Sequence, residues 1–174
     1  MVFKILIGGG ITGLASALAL RGPNRDIVVL EQSRSNKEIG GLISLQPIAS
    51  KIVAKWGLGP SLARKGAMVD KGFRIYTTDG TLQKEILLDT NQYGGDRVVY
   101  HRVDLHDTLK DAALSADRSG PPVQIRTSGR VVSCNCGEGI ITLESGETLK
   151  GDMIVGSDGM YALICNKCLL VVTV

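Results

Sequence analysis

Aromatic residues are scarce in this 174-residue chain: two phenylalanines, one tryptophan and four tyrosines, 4% of the whole. Its 20 basic and 17 acidic residues are spread along the chain, for a net charge of +3. With no basic stripe and no aromatics interleaved among basic residues, nucleic-acid binding has little support. Long apolar runs are also missing. No segment reaches the ~20 residues of a membrane span. The opening MVFKILIGGG could begin a secretory signal, but three glycines break its apolar stretch after Ile5, Leu6 and Ile7. A cytoplasmic location is therefore expected. Histidine occurs twice, at neither position with ligand spacing. Cys165 and Cys168 have C-x-x-C spacing, but a zinc site needs two further ligands. No metal is expected, and Cys134, Cys136, Cys165 and Cys168 read as unpaired thiols in a reducing compartment.

Glycine is in surplus, 22 of 174 residues, about 13% against a usual ~7%. Phe3–Ile7 reads as a buried parallel strand, Gly8–Gly13 as a tight turn, and the small-residue run from Leu14 to Leu20 as a helix able to lie close to a sheet. Gly22-Pro23 breaks it, and Asp26–Glu31 is a second buried strand. Together they make one strand-helix-strand unit. Further on, a helix carries Ile48, Ile52, Val53 and Trp56, with Pro47 near its start and Gly57 and Gly59-Pro60 at its end. Asp79-Gly80 predicts a hairpin. An amphipathic helix buries Leu105, Leu109, Ala112, Ala113 and Ala116, and Gly120-Pro121-Pro122 stops it. Four short strands from Val123 to Gly151 predict an antiparallel meander, and Met153–Val155 returns as an apolar strand suited to a parallel sheet.

Gly8-Gly9-Gly10-Ile11-Thr12-Gly13 satisfies G-x-G-x-x-G. Gly8 permits the sharp exit from the strand, Gly10 lets a pyrophosphate approach bare backbone, and Gly13 brings the helix close to the sheet. The helix N-terminus then offers free N–H groups and a partial positive charge. The spacing alone is weak, but here it follows a strand, opens a helix and precedes a strand that ends in an acid. Glu31, with Gln32 beside it, lies 18 residues after Gly13, suitably placed to accept ribose hydroxyls. Dinucleotide binding is the expectation.

Two later motifs narrow the dinucleotide. His101-Arg102 stands just before the amphipathic helix, and Asp158-Gly159 follows the apolar strand GDMIV. With the glycine loop, and with ISLQPIASKIVAKWGL after the second strand, these resemble the FAD-dependent aromatic-ring hydroxylases, the flavoprotein monooxygenases, most closely their salicylate-hydroxylase-like branch. The likeness covers residues 3 to about 159, the N-terminal part of that family. It implies an α/β fold: a Rossmann-like FAD-binding domain with a parallel sheet, a β-meander and part of an inserted β-rich substrate region. The expected layout is a domain over 1–159, with the insertion at about 70–98, and an atypical tail over 160–174.

The resemblance also implies roles. The Gly8–Gly13 loop would hold the FAD pyrophosphate, Glu31 the adenosine ribose, and Arg102 a place beside the flavin. Asp158 would contact the ribityl-pyrophosphate region, Gly40-Gly41 would let backbone approach the flavin, and Val131 is a candidate for lining the adenine pocket. NADPH or NADH would reduce the flavin, which takes up molecular oxygen as a hydroperoxide and hydroxylates a small aromatic or similarly electron-rich substrate. No side chain is named as catalytic, because the flavin carries the chemistry.

The sequence departs from the family's pattern in places. Leu42 stands where a further glycine is usual, and Ile48 where an asparagine is common. After Gly159, Ala162 and Cys165 stand in place of a serine and an arginine, and the family's remaining half does not follow. The expectation is that MYALICNKCLLVVTV is foreign to the fold, that the chain is truncated, and that its β-prone end is an aggregation hazard. Two alternatives stay open: a non-catalytic dinucleotide-binding fragment, and another FAD- or NAD-dependent oxidoreductase. A short-chain dehydrogenase is disfavoured, since no tyrosine has a lysine four residues later.

Overall fold

A computed structural model describes residues 3–88, 94–157 and 171–172. In chain order the elements are β1 (Phe3–Gly8), α1 (Ile11–Leu20), β2 (Arg25–Leu30), β3 (Leu42–Leu45), α2 (Pro47–Lys55), α3 (Gly59–Arg64), β4 (Met68–Val69), β5 (Gly72–Tyr76), β6 (Leu82–Leu87), β7 (Val98–His101), α4 (Arg102–Leu114), β8 (Gln124–Arg126), β9 (Val131–Asn135), β10 (Ile140–Leu143), β11 (Thr148–Lys150), β12 (Met153–Val155) and β13 (Val171–Val172). The chain divides into two compact units, Met1–Glu38 with Leu109–Val174, and Ile39–Thr108.

The first unit is built on a five-stranded sheet in the order β13-β12-β1-β2-β8. β12, β1, β2 and β8 run parallel, and β13 adds an antiparallel edge, with Val171 opposite Ile154. β2 shows why the Asp26–Glu31 stretch reads as a nearly unbroken apolar run. The pleat sends Ile27 and Val29 to one face, against Ala17, Ala113 and Val123. Val28 and Leu30 go to the other, against Ile141, Leu143 and Ile154. A strand covered on both faces has no position where water selects a polar side chain. Each such side chain, fully buried, contributes about 1.5–3 kcal/mol.

The meander is a separate three-stranded sheet, β11-β10-β9. Gln124–Arg126, expected as its first strand, instead pairs parallel with β2, with Ile125 opposite Val29. Val123 and Ile125 pack with the core on one face of the large sheet, and that burial decides the pairing over proximity in sequence. The Arg21 guanidinium donates to the carbonyl oxygens of Ala112 (3.2 Å), Ala113 (3.1 Å) and Gly120 (2.9 Å), so it closes the C-terminal end of α4. Cys136 is disulfide-bonded, so the expectation of four unpaired thiols does not hold.

In the second unit, β7 lies between β3 and β4, with Tyr100 opposite Ile43 and Val99 opposite Met68. β5 and β6 form the hairpin expected around Asp79-Gly80. The Asp79 carboxylate accepts from the Thr77 hydroxyl and from the Thr81 N–H, which pins the turn. Gly59-Pro60 does not simply end a helix as expected. It opens α3, with Pro60 in the first turn, where a missing N–H costs nothing. Among the described residues, no helix is long and apolar enough to cross a membrane.

Candidate functional site

The glycine loop joins β1 to α1, and its glycines differ in what they face. A Cβ on Gly13 would overlap the Gly8 carbonyl oxygen and stand 2.7 Å from Ser157 Oγ. One on Gly8 would stand 2.9 Å from the same Oγ, and one on Gly9 would overlap the Glu31 carboxylate. These three glycines are required by the protein itself, as close approach of helix to strand demands. Gly10 is different. It has an ordinary extended conformation (φ −75°, ψ −178°). Around a Cβ there, the nearest atom among the described residues is the Ser157 carbonyl oxygen, 3.9 Å away. Among the described residues, neither strain nor crowding explains why position 10 is bare.

The carbonyl oxygens of the loop are all engaged. Ser157 Oγ donates to Gly8 O at 3.1 Å, Asn36 Nδ2 to Gly9 O at 2.8 Å, and the Leu14 N–H to Gly10 O at 2.9 Å. The N-cap residue of α1, Gly10, makes no side-chain capping bond, and the first turn carries no acid. The loop thus turns its oxygens into hydrogen bonds, and α1 carries no acid of its own at its positive end. That arrangement fits the phosphate groups of a dinucleotide. Ile11 and Thr12 lie in the first turn, Ile11 half-buried and Thr12 exposed.

Glu31 follows directly on β2. Its N–H donates to Arg126 O (2.9 Å), and its carbonyl accepts the Gly129 N–H (2.9 Å). The carboxylate accepts the Ser33 N–H through Oε1 at 2.8 Å, while Oε2 is the oxygen that fills the space beside Gly9. Glu31 and the glycine loop are therefore brought together. Gln32 is exposed. Val131 opens β9, half-buried against the cluster of Val28, Leu30, Ile141, Leu143 and Ile154. Within the other unit, Arg102 and the Gly40-Gly41 pair are neighbours. The Arg102 N–H donates to Gly41 O (2.8 Å), and Gly40 at φ +145° leaves room for the Arg102 side chain, whose Cδ would stand 3.0 Å from a Cβ. Asp158, like Gly159 and Cys165, lies outside the described residues.

Two contributors went unrecognised in the sequence, Asn36 and Ser157. Asn36 sits in the polar stretch QSRSNK, where nothing local marks it as the buried member. Ser157 carried a faint signal, a small polar residue between Gly156 and Asp158 after an apolar strand.

No family model matches the chain. Among curated proteins it is similar to an FAD-dependent monooxygenase, cfoG, of Aspergillus candidus, 31% identical over 161 residues, covering 90% of this chain and 36% of that protein. It is likewise similar to the 3-hydroxybenzoate 6-hydroxylase of Klebsiella oxytoca, 32% identical over 173 residues, covering 95% and 42%. Its fold matches the solved 2-methyl-3-hydroxypyridine-5-carboxylic acid oxygenase with a TM-score of 0.77 at 23% identity, over 92% of this chain and 40% of that one. The chain thus spans about two fifths of the length of the curated relatives it matches. Over that span its sequence is similar to those of FAD-dependent monooxygenases and hydroxylases.

Proposed function

We propose that this chain is the FAD-binding portion of an NADPH- or NADH-dependent flavoprotein monooxygenase that hydroxylates a small aromatic or similarly electron-rich molecule. The observation that carries the reading is Gly10: a bare backbone position that nothing among the described residues requires to be bare, in a loop whose carbonyl oxygens are all hydrogen-bonded. In this reading the first-turn N–H groups of α1 hold the pyrophosphate, and the Glu31 carboxylate takes a ribose hydroxyl through Oε2. Arg102 is assigned a fixed positive charge near the flavin, Gln32 and Val131 flank the adenosine, and Asp158 meets the ribityl-pyrophosphate region. FAD, when bound, supplies the redox chemistry with molecular oxygen that no side chain supplies. The protein's part is to hold and orient it. The names of the hydroxylating relatives support the aromatic substrate class.

The test is FAD retention by the purified 174-residue chain. After removal of excess cofactor, a bound-flavin absorption spectrum is expected. Gly10→Val should abolish it while leaving the melting temperature of the unliganded protein within a degree or two of wild type. A folded wild-type chain that retains no flavin would count against the reading. A second reading is a dinucleotide-binding chain without turnover of its own. Oxygen uptake driven by NADPH separates the two.

A further inference from the structure

Asn36 is the one buried residue in the run from Gln32 to Lys37, at 5% exposure, and it is polar. Its Nδ2 donates to Gly9 O at 2.8 Å. Its Oδ1 is buried and accepts no hydrogen bond within the described protein. The backbone carbonyl of Asn36 accepts from Lys110 Nζ, on α4, at 2.8 Å. A buried acceptor without a donor destabilises a fold. A leucine has the same branched outline as asparagine and would carry no such defect, so packing gives no reason for an amide here. What the amide alone supplies is a donor to Gly9.

Gly9 O belongs to the peptide whose N–H is that of Gly10. Between two glycines this peptide can turn over with little steric resistance. Turned over, it would set a carbonyl oxygen where the N–H had been, facing any anion on the loop. We infer that Asn36 is a positioning residue for the cofactor loop. Its amide fixes the Gly9–Gly10 peptide so that the loop presents N–H groups to a diphosphate, and Lys110 anchors the backbone that carries it. The inference rests on the reading of Gly8–Gly13 as the FAD pyrophosphate loop.

The experiment compares the wild-type 174-residue chain with Asn36→Leu and Lys110→Met. FAD and ADP affinities are titrated, ADP being a diphosphate without a flavin, and the unliganded melting temperature is measured alongside. For Asn36→Leu, FAD and ADP should both bind about tenfold more weakly, while the unliganded melting temperature stays level or rises. Lys110→Met, which keeps the amide but loosens its anchor, should weaken both by a smaller factor, about threefold. Unchanged affinity in Asn36→Leu overturns the inference and leaves the loop reading standing. So does loss of FAD affinity without loss of ADP affinity, since the effect would then lie away from the diphosphate. A lowered unliganded melting temperature, or failure to fold, makes Asn36 an ordinary structural residue and also overturns it. Wild-type protein that binds neither nucleotide overturns the loop reading itself, and the inference with it.

Discussion

The two units bury their apolar residues in opposite styles. In the first, the large sheet is covered on both faces, and Ile27, Val28, Val29 and Leu30 are all at most 5% exposed. In the second, the β5–β6 hairpin leaves Phe73, Ile75, Tyr76, Leu82 and Leu87 between 45% and 75% exposed. The first unit therefore has a core that stands on its own described residues, and it is the unit that holds the glycine loop. The second has apolar surface that the described residues do not cover. A site made of backbone needs a rigid frame around it, because its donors cannot adjust as side-chain rotamers do. The lesson is that the glycine loop leaves a sheet whose neighbouring strand β2 is buried on both faces.

Replacing one apolar side chain in each unit tests the contrast most severely. Leu30→Ala, in the cluster with Ile141, Leu143 and Ile154, should cost about 3–4 kcal/mol and fall as a large drop in the denaturant midpoint. Leu87→Ser, 75% exposed, should stay within about 0.5 kcal/mol and reduce self-association. Equal losses at the two sites would erase the distinction between a buried frame and an uncovered hairpin.

Glycines sharpen it further. Gly13→Ala sets a methyl group into the Gly8 carbonyl and beside Ser157 Oγ, so α1 must lift from β1. A loss of about 2–3 kcal/mol is expected in thermal melts, with FAD retention reduced in step. Gly41→Ala meets nothing within 4 Å and has no left-handed backbone to strain. It should change stability by less than about 0.5 kcal/mol. A Gly13→Ala protein as stable as Gly41→Ala would mean that the helix is not held close to the strand.

What the sequence made legible follows the same division. β1, the loop, α1, β2, α4 and β12 were readable because each rests on a local pattern: an apolar run, a glycine turn, a helical period. The β5–β6 hairpin was readable from Asp79-Gly80, since turn chemistry is local too. The pairing of β3 with β7 was not readable, because Leu45 and Val98 are partners across more than fifty residues. β8 was assigned to the wrong sheet for a related reason. Its side chains are drawn to a core already formed by β2, and no neighbour in sequence announces that. Asn36 was hidden most completely. Among arginine, serines and lysine it looks like a solvated loop residue, and only the position of the Gly9 carbonyl makes it a buried donor.

The smallest expected effect compares two surface carboxylates, one in each unit. Glu147 is held below its ordinary range by the Arg126 guanidinium, which bonds both its oxygens at 3.0 and 2.7 Å. Asp79 is lowered further, from 3.8 to about 2, chiefly by the Thr77 hydroxyl and then by the Thr81 N–H. Both folded values lie below the unfolded ones, so each carboxylate stabilises its unit above the unfolded pKa and stops doing so as pH falls through the folded one. Between pH 4 and 3, therefore, the Asp79 carboxylate should stay ionised and the hairpin should keep its turn. Near pH 2 the hairpin should loosen, visible as a shift of the Thr81 amide resonance that titrates with the Asp79 carboxyl. Asp79→Asn should remove that titration and leave the Glu147 one untouched, because no contact couples the two carboxylates among the causes of either shift. An Asp79 resonance titrating at 3.8 would show that the Thr77 and Thr81 bonds do not persist in solution. The second unit would then lack even the local pin at its turn, and the contrast between a self-sufficient frame and a hairpin dependent on its surroundings would widen.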